Sequence, residues 1–275
     1  MIELPEALAR AAELDKTIAG KTVAKVYPPS SPHKFCWFNG EPEAYDRQLR
    51  GREVQKAEGF GIFVELRFSG DFGLCFNDGV NVRLLEPSAG LPEKYQLRID
   101  FTDSWVLIFT VAMYGGILCY EHTCANEYYV LSKERLSPLA DEFDEEYFRG
   151  LLAGVKPGIS AKAFLAAEQR IPGLGNGVLQ DILFRAGIHP KKKVGKLTAE
   201  ETERLFGSVK GVLAEMSRLG GRDTEKDIWG SPGKYPTVMS KNTYRNPCPI
   251  CKGEIVKTAY LGGSVYYCPR CQPLD

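Results

Sequence analysis

Apolar positions follow two different spacings along this chain. Between residues 4 and 17, apolar and alanine positions recur at the period of a helix face, and an N-terminal helix is predicted there. From Lys21 to about Leu131 the texture changes to short apolar or alternating runs. Ile62-Phe63-Val64-Glu65-Leu66 and Trp105-Val106-Leu107-Ile108-Phe109 are examples, broken by Gly, Asp, Asn and Pro as in a β-sandwich or barrel. The polar stretch 132–144, with Pro138, reads as a boundary. Helical segments follow near 145–154, 159–170, 177–187 and 198–219, punctuated by Pro157-Gly158, Pro172-Gly173 and the turn after Ala186. Residues 220–246 are rich in Gly, Pro and charge without a clear period, and read as a long exposed loop. The predicted units are therefore 1–132, 145–219, the loop 220–246, and a separate module over 247–275.

A length of 275 residues, 44% hydrophobic and 25% charged, fits an ordinary globular protein of two or three folding units. No apolar run reaches membrane-spanning length, and a start carrying Glu3 and Glu6 does not resemble a signal peptide. The expectation is a cytoplasmic, monomeric protein without a membrane partner. Net charge is zero, which argues at first against a nucleic-acid partner. Residues 1–150, however, hold 16 Lys/Arg and 24 Asp/Glu, whereas residues 151–275 hold 19 and 11. An acidic half is thus joined to a basic half, which points to a polyanion meeting the second half; chance segregation of surface charge is the alternative.

The eight cysteines form two groups. Cys36, Cys75, Cys119 and Cys124 are scattered through strand-like sequence, where buried reduced thiols are the ordinary explanation. Cys119, His122 and Cys124 could alternatively form a second metal site. Near the C-terminus, Cys248-Pro-Ile-Cys251 and Cys268-Pro-Arg-Cys271 are two CxxC pairs separated by 16 residues. Four thiolates so spaced suit one tetrahedral structural Zn2+, with a β-hairpin between the knuckles and no position left open for catalysis. So short a segment would draw its folding free energy from the metal.

Between two predicted helices lies Pro172-Gly173-Leu174-Gly175-Asn176-Gly177. Asn176 stands where an N-cap would open the helix at Gly177–Gly187, and exposed amides at a helix start suit a phosphate. Gly175 allows close approach of another chain, and Lys162 and Lys191-Lys192-Lys193 could add charge to the contact. An ordinary tight connection between packed helices explains the same residues.

The whole pattern resembles the formamidopyrimidine-DNA glycosylase/endonuclease VIII family. The resemblance rests on Glu3-Leu-Pro-Glu6, Leu49-Arg-Gly-Arg-Glu-Val54, Gly173-Leu-Gly-Asn176, Leu183-Phe-Arg-Ala-Gly-Ile-His-Pro190 and Tyr267-Cys-Pro-Arg-Cys-Gln272. It spans nearly the whole chain and is looser in the β region. It implies a multidomain α+β fold: an N-terminal helix and β-sandwich, a helix–two-turn–helix domain, and a C-terminal four-cysteine zinc finger. It also implies a double-stranded DNA partner carrying a lesion or abasic site, held through Asn176, Gly175 and Lys162.

Several positions depart from what the family uses for catalysis. A proline after the initiator methionine normally attacks the sugar as a secondary amine, and this chain has Ile2 there. The following glutamate is kept as Glu3. The position of the family's assisting lysine is Ile62, and that of the zinc-finger arginine is Gly263. Met113-Tyr114-Gly115 and Val80 replace the side chains that fill the gap left by a flipped base. The reading is a damaged-DNA-binding protein whose usual Schiff-base glycosylase/lyase activity is lost or altered. Its rivals are an active enzyme using the Met1 amine, a non-aligned lysine, or water activated by Glu3 or Glu6, and an RNA-binding or protein-interaction module. Glu3 also suits a helix start simply as an acid, and the loop 220–236 could cap a flipped base.

Overall fold

The computed structural model describes residues 1–274. Helix α1 runs Leu4–Ile18 and is followed by β1 (Val23–Tyr27), β2 (Cys36–Phe38), a short α2 (Tyr45–Leu49), β3 (Val54–Phe60), β4 (Phe63–Phe68), β5 (Phe72–Asn77), β6 (Val80–Leu85), β7 (Leu97–Phe101), β8 (Val106–Val111) and β9 (Gly115–Glu121). The strands form a four-stranded sheet, β1-β7-β8-β6, and a five-stranded sheet, β2-β9-β5-β4-β3. Pairings are antiparallel except β2 with β9. One apolar core lies between the sheets and extends under α1 through Ala7, Ala11, Leu14 and Ile18.

Strand patterns report which faces are covered. In β6 and β7 buried and half-buried residues alternate, as in a sheet with one face on the core. Strand β5 is buried at every position, and β9 at every position but its last. The reason is α3 (Glu127–Glu134), which covers the outer face of the five-stranded sheet. There Glu65 accepts hydrogen bonds from Tyr129 at 2.7 Å and Lys133 at 3.0 Å, and a short one from Tyr120. Helix α3 falls where the sequence reads as the end of the β region. Its tyrosines and valine favour strands, but the Asn126 side chain accepts from the Tyr129 amide and starts a helix.

Helices α4 (Glu145–Ala153), α5 (Ala161–Ala166), α6 (Val178–Ala186) and α7 (Ala199–Arg218) enclose a second core, into which α1 inserts Leu4. Asp144, Ser160 and Thr198 cap α4, α5 and α7 through their side chains. The hairpin β10 (Val256–Tyr260) and β11 (Gly263–Tyr267) is the last regular element among the described residues. No described helix is long and apolar enough to cross a membrane.

The segment 220–246 has no regular helix or strand, but it is not exposed throughout. Arg222, Ile228, Tyr235, Thr237, Met239 and Ser240 are buried. Charge-rich composition misleads here because part of the charge is satisfied internally: Arg222 and Glu225 both bind the N-terminus, while Lys226, Lys234, Lys241 and Arg245 stay exposed.

Candidate functional site

At the start of α1, Ile2 is buried in the sandwich core and its amide donates to the Asp78 carbonyl at 2.6 Å. Glu3 is the N-cap of α1, and Glu6, three residues on, reaches back to the Glu3 amide at 3.2 Å. The Glu3 carboxylate points the other way, into the helical domain. It accepts the Gly177 and Val178 amides, each at 2.7 Å. A side chain from α1 therefore caps α6.

This corrects two expectations. Asn176 does not cap the helix: α6 has no side-chain cap of its own. Nor are the amides at its start free for a phosphate, since a carboxylate from the same chain holds them. The glycines of the turn make room for that carboxylate. A Cβ on Gly175 would lie 2.8 Å from Glu3 Cδ, and one on Gly177 would lie 2.9 Å from Glu3 Oε1.

Arg222 closes the arrangement from the segment after α7. Its guanidinium donates to Glu6 Oε1 at 3.0 Å and Oε2 at 2.7 Å, and to the Met1 carbonyl at 3.2 Å. Its Nη1 lies 3.6 Å from Glu3 Oε1. All three side chains are almost wholly buried. Burial raises the Glu3 pKa, with Arg222 opposing and the Glu6 charge adding to the rise. Burial acts likewise on Glu6, but the charge and hydrogen bonds of Arg222 outweigh it and hold that carboxyl below its usual range. The Met1 ammonium pairs with Glu225 Oε2 at 2.6 Å. Burial pushes the nearby Asp78 up to about 6.

Met1, Glu3 and Glu6, singled out from the sequence, are thus brought together, and Arg222 and Glu225 join them. Only the family resemblance placed weight on this end of the chain, and nothing in the loop composition marked Arg222 or Glu225 as its partners. Glu225 lines two clefts. One, of about 160 Å³, is lined by Asn176, Gln180, Arg222, Thr224 and Lys241. The other, of about 380 Å³, is lined by Asn81, Arg83, Thr110 and Lys226.

Lys162 and Asn176 both grip the C-terminal hairpin. Lys162 Nζ donates to the Tyr260 carbonyl at 2.5 Å, and Asn176 Nδ2 to the Ser264 carbonyl at 3.1 Å. Gln180 donates to the same Ser264 carbonyl and accepts the Tyr266 amide. A Cβ on Gly263 would lie 3.3 Å from the Asn176 amide group, so the hairpin sits flush on the turn. Of the lysine run, Lys192 pairs with Glu201, Lys191 lies over the Tyr260 ring, and Lys193 is exposed. Ile62 is buried under α3.

Beyond the hairpin, Cys248, Cys251, Cys268 and Cys271 converge, with all four sulfurs within 4.8 Å of one another. Sulfur pairs stand 3.7 Å apart for Cys248–Cys271 and 3.4 Å for Cys251–Cys268. Tetrahedral thiolates at the usual Zn–S length stand about 3.8 Å apart, so the donor set fits zinc in both chemistry and spacing. Cys119, His122 and Cys124 do not converge. Cys124 faces Cys75 at 4.0 Å, and His122 is exposed beside Asp71. Among the described residues, the C-terminal cysteines are the one group of three or more such side chains that could hold a metal.

An α+β chain with a sandwich, a four-helix unit capped from the N-terminus, and a four-cysteine finger docked on the same helix defines the class of helix–two-turn–helix glycosylase folds. The profile of the formamidopyrimidine-DNA glycosylase H2TH domain matches residues 135–227. A formamidopyrimidine-DNA glycosylase of Geotalea uraniireducens is 28% identical over 99% of this chain and 100% of its own length. One of Bacillus cereus is 27% identical over 99% of each. The Lactococcus lactis Fpg solved with abasic-site DNA superposes with a TM-score of 0.82 at 25% identity, over 98% of this chain and 99% of that one. Over nearly its whole length the chain is thus similar to formamidopyrimidine-DNA glycosylases, and residues 135–227 match their H2TH domain.

Proposed function

We propose that this protein recognises duplex DNA carrying an abasic site or a damaged base, without the family's usual Schiff-base lyase chemistry. The observation that carries the reading is the state of position 2. Ile2 supplies an amide nitrogen, already donated to Asp78, and its side chain is locked in the core. Attack on a sugar aldehyde needs an unprotonated amine, which an amide cannot provide. Glu3 and Glu6 are each engaged by two or more donors, so in this reading they latch the sandwich to the helical domain rather than move protons. Lysine and arginine are absent from the positions of Ile62 and Gly263. Support for the DNA partner comes from the family, from the solved relative bound to abasic-site DNA, and from the basic second half of the chain.

Cys248, Cys251, Cys268 and Cys271 would hold one structural zinc. Four thiolates leave no open coordination position, so the metal supplies folding free energy and holds the hairpin against α6.

A second reading rests on the Met1 amine, which pairs at 2.6 Å with Glu225, a carboxylate that lines both clefts. That carboxylate, Glu225, could take the ammonium proton; the amine would then attack the sugar aldehyde and expel water to form an imine.

Incubation with abasic duplex and borohydride separates the two. Lesion-selective binding with no trapped adduct supports recognition without lyase chemistry. An adduct mapped by mass spectrometry to Met1, and lost in Glu225→Gln, establishes the second reading instead. A preference for single-stranded RNA over abasic duplex would overturn both.

A further inference from the structure

A cluster of large apolar side chains stands exposed at the rim of the sandwich. Phe35 is 49% exposed, Trp37 52%, Met113 63% and Tyr114 37%. A soluble protein normally scatters such residues singly. Here two segments bring them together. Strand β2 turns Cys36 and Phe38 toward the core and Trp37 outward, while β9 opposes it with Gly115 and Gly116, which place no side chain against the indole. The Phe35 carbonyl accepts the Gly115 amide at 3.0 Å, and the Tyr114 carbonyl accepts the Gly79 amide at 3.0 Å. The rings of Trp37 and Tyr114 lie 6.2 Å apart at 52°. Lys34 Nζ lies 5.4 Å from the Phe35 ring centre.

The patch is continuous with the candidate site. The Tyr114 hydroxyl donates to the Met1 sulfur at 3.6 Å, and the Asp78-Gly79 turn that anchors Tyr114 also holds Ile2. A polynucleotide seated at Met1 would therefore run past these rings.

We infer that Phe35, Trp37 and Tyr114 form a stacking platform for unpaired nucleobases next to the site. This rests on the DNA-binding reading above. The chemistry selects unpaired bases because a paired base in a duplex buries both its faces, whereas an unpaired one offers a π-face to a ring. Exposed rings beside a cation are the combination that holds single strands without sequence readout. The protein accordingly favours an abasic site flanked by unpaired bases over the same site in a fully paired duplex.

Three labelled DNAs test this by anisotropy: an abasic duplex, the same duplex with mismatched bases flanking the site, and an undamaged duplex. Trp37→Ala is the main variant and Trp37→Phe the conservative one. The wild type is expected to bind the mismatched probe about tenfold tighter than the paired one, the scale of one base–aromatic stack. Trp37→Ala should lose that advantage with the paired abasic duplex unaffected, and Trp37→Phe should restore most of it. An unchanged advantage in Trp37→Ala overturns the platform, as does equal weakening on both abasic probes. A change in self-association with DNA binding untouched also overturns it, making the patch a protein-binding surface. If the wild type bound no abasic DNA at all, the underlying function would fail first, and the two failures are thus distinguishable.

Discussion

Arg222 is the residue on which the N-terminal arrangement depends. Its guanidinium neutralises Glu6 and faces Glu3, and all three are buried. Removing one member of a buried pair leaves an uncompensated charge and costs roughly 3–5 kcal/mol. Arg222→Ala should lower stability by that order in urea unfolding, and adding Glu6→Gln should recover part of the loss. A loss under about 1 kcal/mol would mean water enters and solvates the carboxylates. Asp78 allows a test by pH. Burial raises its carboxyl from 3.8 to about 6, so between these values the folded state binds more protons than the unfolded one. Stability from this group is present at low pH and lost as pH rises through about 6. Asp78→Asn keeps a residue tolerant of the left-handed backbone (φ 48°) and removes the charge. The variant should be about 2 kcal/mol more stable than wild type at pH 7, after allowance for partial exposure, and equal to it below about pH 4. Taking the difference between the two proteins cancels the contribution of Glu6. A difference independent of pH would show that Asp78 ionises freely in the fold.

Among elements, helices were the more legible, because their signals are local. Asp144, Ser160 and Thr198 stand before apolar periodic runs and cap α4, α5 and α7 as side chains of those residue types do. Helix α6 was legible as a helix but not in its cap, since Glu3, 174 residues away, provides it. The loop after α7 departs from its expected exposure for the same reason: composition shows charges but not the distant partners that bury Arg222. For the finger, the two CxxC pairs were legible, whereas the clasp of Lys162, Asn176 and Gln180 on its backbone was not. That clasp sets the expected response to metal removal. A strong chelator, or Cys248→Ser, should release the cysteine knuckles, and hydrogen exchange should accelerate over residues 247–274. Helices α4–α7 keep their own core and should retain protection. Elemental analysis should find one zinc per chain. Loss of protection through α6 and α7 on chelation would show that the finger stabilises the whole helical unit.

Over the whole molecule, charge is divided between the halves, and the division has a measurable consequence if DNA meets the second half. Lys241 is exposed and borders the smaller cleft beside Asn176 and Arg222. Lys56 is exposed in the acidic half and pairs with Glu58 at 2.6 Å. Each phosphate neutralised by a lysine releases condensed counterions and steepens the fall of log affinity with log salt by about 0.9. Lys241→Ala should therefore weaken binding to damaged and undamaged duplex alike and flatten the salt slope by about one. Lys56→Ala should leave both unchanged. The uniform loss matters because a phosphate contact positions the duplex without reading the lesion, whereas a contact to the lesion would weaken one probe alone. If Lys56→Ala flattened the slope and Lys241→Ala did not, DNA would lie across the sandwich rather than against the helical unit and finger. The carboxylate of Glu3 would then serve to hold two domains together on the side away from the nucleic acid.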